Sequence, residues 1–289
     1  MNLHHILAAT DESEAGRQAV RSAMDLARRA RARVTVMRAV PVVAMTVAAG
    51  AADAYDLARI EEERVAIQRL QQWIGSDLPA QGEAPSVELA IAFGVPGIEI
   101  CRLADQREAD LVVLGRKQRS QLVRLLLGDT AEAVARRSRV PCLFVPPNSG
   151  PLRRMLVALD GSDRGMVVLK EACGFARGSG TSLQVVTVEA GPADEPAALT
   201  STLTVARNAR LESQVQTLLT REAMAGVVPA VEVRRGAIVD QILSAVHASG
   251  PDVLVIGYHR GGPPGIIKAS GTARHLGHTA PCAVLTIPL

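Results

Sequence analysis

The sequence repeats itself. Ile6-Leu7-Ala8-Ala9-Thr10-Asp11 returns 149 residues later as Met155-Leu156-Val157-Ala158-Leu159-Asp160, and Val34-Thr35-Val36-Met37 returns at the same spacing as Leu183-Gln184-Val185-Val186. Further on, Gly94 matches Gly236 and Leu111-Val112-Val113-Leu114-Gly115 matches Val253-Leu254-Val255-Ile256-Gly257 at a spacing of 142, which Val145-Pro146 and Ile287-Pro288 keep. A chain of 289 residues that carries one pattern twice is constrained to fold as two copies of one domain. The change of spacing from 149 to 142 puts seven extra residues in the first copy, between its second strand and Gly94. The join falls in Pro146-Pro147-Asn148-Ser149-Gly150-Pro151, a turn-rich stretch suited to a linker. Domains are therefore expected at residues 1–147 and 152–289.

Within each copy, short apolar β-branched runs alternate with longer helical patterns. In the first copy residues 4–10, 33–40, 87–92, 110–115 and 141–145 read as strands, and 13–31, 53–74, 97–108 and 130–138 read as helices. Leu111 to Leu114 and Val253 to Ile256 are apolar at every position, as in a parallel sheet covered on both faces. Strict alternation with right-handed crossovers gives an α/β doubly wound sheet in each copy. Composition agrees. At 48% hydrophobic and 21% charged the chain is not disordered, and at 2% aromatic its cores must be aliphatic, with little ring surface for stacking unpaired bases.

Several function classes fall away on the same grounds. A net charge of +3 is too small for a dedicated nucleic-acid binder, and Arg136, Arg137 and Arg139 read as cations at a helix end. The longest uncharged run, Ala39 to Ala52, has 14 residues with Pro41 and Gly50 inside it, against roughly 18 to 20 for a membrane span. That run should be covered by a packed partner domain or a second subunit, in a homodimer, with Val47 as the position to test. The start of the chain, with His4, His5 and Asp11, lacks the pattern of a signal peptide. Cys101, Cys142, Cys173 and Cys282 form no C-x-x-C pair, which fits a reducing cytoplasm better than a zinc ribbon or a redox dithiol. Trp73 and Met45 read as packing residues.

Open parallel sheets bind ligands outside the carboxyl ends of their strands, where strand order reverses. After the first strand of each copy stand Thr10-Asp11-Glu12-Ser13 and Asp160-Gly161-Ser162-Asp163. An Asp there can accept hydrogen bonds from ligand hydroxyls, or these residues can simply cap the next helix. After the fourth strand stand Gly115-Arg116-Lys117-Gln118-Arg119-Ser120 and Gly257-Tyr258-His259-Arg260-Gly261-Gly262, leading to Gly128-Asp129-Thr130 and Ser270-Gly271-Thr272 at the last helix. A glycine loop feeding a helix offers backbone N–H groups to phosphate oxygens. His275 and His278 share a helix face near His259, a spacing a metal can use, but lack an acidic or Cys partner and read as ordinary helix-end residues. The chain has no Gly-Lys pair of a Walker loop and no G-x-S-x-G elbow.

The tandem halves, Asp160-Gly161-Ser162, the Gly94-Val95-Pro96 turn, the glycine loop and the closing Pro281-Cys282-Ala283-Val284-Leu285 together resemble the two-domain universal stress proteins. The resemblance covers nearly the whole chain. It implies five parallel strands in order 3-2-1-4-5 per half, with the halves paired through their last strands, Cys142 to Pro146 and Cys282 to Pro288. It also implies ATP as a ligand, with Mg²⁺ when bound, held by an acidic residue after the first strand and a G-x2-G-x9-G-[ST] loop. The residues so implied are Asp160, Val188, Gly257, Gly261, Gly271 and Thr272 in the second half, and Asp11, Ala39, Gly115 and Gly128 in the first.

Both loops depart from that pattern. The first has Gln118 at the second glycine and Asp129 at the hydroxyl position; the second has Arg260, Ser270 and Gly271 at the unslipped spacing, and Gly261 with Gly271-Thr272 after a slip of one residue. Asp129 would repel phosphates by about 1 kcal/mol at 4 Å in water and more in a drier site. Arg116, Lys117 and Arg119 are available to offset it. The second half is thus the expected site of a non-enzymatic stress-response protein with a regulatory nucleotide. A ligand-free interaction scaffold and a slow ATP-hydrolysing enzyme are the alternatives.

Overall fold

The computed structural model describes residues 1–41, 52–75, 85–116, 129–189, 202–221, 231–259 and 268–289. Gly128 and Gly261, both loop interiors beyond Arg116 and His259, Met45 and Val47 lie outside the described residues. Contacts gather Ser149–Leu289 into one compact unit and the described residues from Leu3 to Asn148 into another.

The first unit runs β1 (His5–Thr10), α1 (Glu14–Ala30), β2 (Arg33–Val40), α2 (Ala52–Ile74), β3 (Val87–Phe93), α3 (Pro96–Gln106), β4 (Leu111–Gly115), α4 (Asp129–Arg137) and β5 (Cys142–Val145). The second repeats it as β6 (Arg154–Leu159), α5 (Asp163–Ser179), β7 (Ser182–Glu189), α6 (Thr202–Arg221), β8 (Val231–Arg235), α7 (Ile238–Ser249), β9 (Val253–Tyr258), α8 (Lys268–Thr279) and β10 (Ala283–Pro288). Strand order is β3-β2-β1-β4-β5 in the first unit and β8-β7-β6-β9-β10 in the second, with parallel pairing throughout, which is the expected 3-2-1-4-5. Ala8 is opposite both Val36 and Val113, and Val157 opposite both Val185 and Val255, so the repeated runs occupy the same register.

Each central strand is covered on both faces, and Ile6, Leu7, Ala8, Val112 and Val113 are fully buried, as are Val157, Leu254 and Val255. The amphipathic first helices begin and end by the same chemistry. Ser13 and Ser162 cap α1 and α5 by accepting from Gly16 and Gly165 N–H at 3.2 and 3.1 Å, and each helix ends on a left-handed residue, Arg31 at φ 55° and Gly180 at φ 64°. Part of the first unit's extra length is in α2, with 23 residues against 20 in α6. Among the described residues no helix is long and apolar enough to cross a membrane.

Candidate functional site

The turn between β6 and α5 is built from short polar contacts. Asp160 Oδ1 accepts from the Ser162 N–H at 3.0 Å and from its hydroxyl at 2.6 Å. A side-chain carbon at Gly165 would stand 2.7 Å from that oxygen, so glycine there leaves the carboxylate its room. Among the described residues nothing bonds the other oxygen, Oδ2. The exposed carboxylate lines a cavity of about 530 Å³ at the carboxyl ends of β6, β7 and β9. Ala158, Val188 and Ile256 form its strand side; Ile238 and Ile242 of α7 and Leu276 of α8 form apolar walls; His259 and Thr272 add polar groups.

Four of the six residues expected in the second half, Asp160, Val188, Gly257 and Thr272, therefore line one cavity. Gly271 is not among its walls: it is exposed, and among the described residues a side chain there would meet nothing within 4 Å. The carboxyl ends of α4 and α8, Arg137 and Thr279, keep the spacing of 142, so Thr272 is the counterpart of Thr130.

The first unit repeats the turn, Asp11 Oδ1 accepting from Ser13 N–H at 3.1 Å and from the Ser13 hydroxyl. Its strand ends differ. Glu12, at φ 61°, stands where the second unit has Gly161 at φ 72°, and pairs with Arg38, whose counterpart is Thr187. Ala39 lies half-buried at the end of β2, opposite Ala92. A side-chain carbon on Gly115 would stand 2.4 Å from the Ala15 carbonyl group, so α1 sits directly on that glycine. Asp129 is exposed in the first turn of α4, and Arg116, read from sequence as a cation to offset it, is fully buried instead.

The model of the universal stress protein family matches residues 2–146 and again residues 151–288. This chain belongs to the universal stress protein family. A universal stress protein of Methanocaldococcus jannaschii is 28% identical to it over 143 residues, 48% of this chain and 80% of that one. Among solved structures, a universal stress protein of Archaeoglobus fulgidus is similar with a TM-score of 0.70 at 17% identity, covering 98% of both chains. A Pseudomonas aeruginosa protein of unknown function is similar with a TM-score of 0.63 at 15% identity, over 99% of this chain and 92% of that one. At those identities the likeness to solved structures is one of fold.

In this universal stress protein the cavity combines a carboxylate oxygen able to accept from hydroxyls, a hydroxyl able to donate or accept, and apolar walls able to hold a flat ring. Sequence reasoning missed its apolar walls, Ile238 and Ile242 of α7 and Leu276 of α8, whose periodicity marks core without marking a cavity. It also missed the Glu12–Arg38 pair, although the exchange of Gly161 for Glu12 was visible at the repeat spacing. His259, weighed above as one of three histidines near a metal, meets Arg164, whose Nη1 donates to its Nδ1 at 3.3 Å.

Proposed function

We infer that this universal stress protein is a non-enzymatic, cytoplasmic protein of the stress response that takes ATP or a related nucleotide as a regulatory ligand in its second unit. One observation carries the reading: Asp160, Val188, Gly257 and Thr272, scattered over more than a hundred residues of sequence, line one cavity of about 530 Å³ at strand ends. That volume suits a small molecule. The residues present fit a nucleotide, because the apolar walls beside Val188 accept a base, Asp160 Oδ2 accepts from sugar hydroxyls, and the Thr272 hydroxyl is available to a phosphate. The first unit offers a poorer fit. Its strand ends carry the Glu12–Arg38 pair, and Asp129 opens its last helix.

Binding of this kind acts by biasing contacts with partners rather than by chemistry. The test is to denature the purified protein, identify the released nucleotide by chromatography, and follow melting of the protein with ATP and Mg²⁺. Copurifying nucleotide or a raised melting temperature is expected. No released nucleotide together with an unmoved melting temperature overturns the reading. Phosphate release under single-turnover conditions then decides against the non-enzymatic part if it occurs.

A further inference from the structure

We propose that Arg164 and His259 form a phosphate-recognising pair at the rim of the second unit's cavity, and that they make it select phosphorylated ligands over uncharged nucleosides. This rests on the nucleotide reading and deepens it. His259 lines the cavity, as does Gly165, the neighbour of Arg164 in the first turn of α5. Arg164 Nη1 stands 3.3 Å from His259 Nδ1. A guanidinium carries donors only, so Nδ1 is the acceptor and the ring proton sits on Nε2. Arg164 is not itself a wall residue, but held against His259 it offers a fork of N–H groups beside the ring's further N–H, a donor set that matches the oxygens of a phosphate.

Arg164 gains nothing from the dipole of its helix. The amino end of a helix favours acidic side chains, and a cation in the first turn of α5 opposes its dipole. Among the described residues no carboxylate pairs with Arg164, whose partner is the His259 ring. The pair is also particular to this copy. At the repeat spacings Ala15 stands at the place of Arg164 and Lys117 at that of His259, so the first copy has a cation of its own at the second position but not this pair. An exposed, carboxylate-free guanidinium beside a cavity that already offers acceptors for hydroxyls supplies the complementary half of a nucleotide site: the part that reads the anion.

Titration calorimetry on the full chain tests the pair, using ATP with Mg²⁺ and, separately, adenosine. The wild type is expected to bind ATP more tightly than adenosine. Arg164→Ala and His259→Ala should each weaken ATP by about tenfold to a hundredfold and leave adenosine unchanged. Arg164→Lys should recover part of the loss, since it keeps the charge and loses the fork. Lys170→Ala removes an exposed cation from the same helix and should alter neither ligand. Both rim side chains are partly or fully exposed, so the variants should melt as the wild type does. Unchanged ATP affinity in Arg164→Ala and His259→Ala overturns the pair, as does an equal loss in Lys170→Ala, which would mark a long-range field. A wild type that binds adenosine as tightly as ATP also overturns the pair and leaves the nucleoside part of the reading standing. A wild type that binds neither ends the nucleotide reading itself.

Discussion

His5 shows how one residue can tie the stability of the first unit to pH. It is buried at the amino end of β1, where Nδ1 donates to the Arg107 carbonyl at 2.8 Å and Nε2 accepts from the Thr35 hydroxyl at 2.8 Å. The carbonyl can only accept, which fixes the neutral Nδ1–H tautomer. Burial lowers the His5 pKa, opposed by the bond to the Arg107 carbonyl; Arg33 adds to the lowering, and Asp110 and Glu88 act against it. The neutral ring is therefore the folded form. Its stabilisation is complete above the ordinary imidazole range, near about pH 6.5, and is lost as pH falls through the lower folded value. The second copy has an exposed Arg154 at this place, although Asp110 and Asp252 accept the same backbone N–H pairs in the two copies. His5→Gln should lower the denaturation midpoint at pH 7 and flatten its decline between pH 7 and 5. Wild-type and variant curves that run parallel through that interval would remove His5 as the cause.

At the scale of elements, the glycines that close the fourth strands of the two units do different work. On Gly115 a side-chain carbon would meet backbone, the Ala15 carbonyl at 2.4 Å, so Gly115→Ala must push α1 off the sheet; on Gly257 it would meet side-chain ends, Leu289 Cδ1 at 2.7 Å and Val168 Cγ2 at 3.0 Å. Gly115→Ala should cost about 1 to 3 kcal/mol in chemical denaturation, and Gly257→Ala clearly less, because the half-exposed Leu289 side chain can turn away. Equal losses would mean that α1 yields as easily as a leucine side chain. The sequence pattern found both glycines but not this difference, since a motif records which residue stands at a strand end and not what packs on it. Elements themselves were legible: the expected strand 33–40 is β2, and the expected helix 13–31 is α1 without its two caps, because β-branched runs, Ser caps and left-handed ends are local signals. Gly271 shows the limit. The loop pattern placed Gly271 and Thr272 in the site together, and of the two only Thr272, on α8, lines the cavity among the described residues.

For the whole molecule the question is how many ligands one chain takes. Duplication supplied two turns of the same design, with Asp11 and Asp160 each holding a Ser cap through Oδ1. Divergence then treated them differently. The first unit has Glu12 paired with Arg38, α1 seated on Gly115 and Asp129 at the head of α4; the second has Gly161, the Asp160-lined cavity of about 530 Å³ and Thr272. An added carboxylate near a phosphate costs about 1 kcal/mol at 4 Å in water and several times that in a drier site, and Asp129 supplies one where the second unit has Gly271, while Glu12 brings an ion pair with Arg38 to the place where the second unit has Gly161 and Thr187. Since about 1.4 kcal/mol is tenfold in affinity, two identical sites are not expected. Calorimetry with ATP and Mg²⁺ should return one nucleotide per chain. Hydrogen exchange in the same mixture should show added protection at residues 160–165 and in the first turns of α7 and α8, and none at residues 11–16. Two equivalents, or equal protection of the two turns, would mean that the Glu12–Arg38 pair opens for a ligand and that the copies have kept one function.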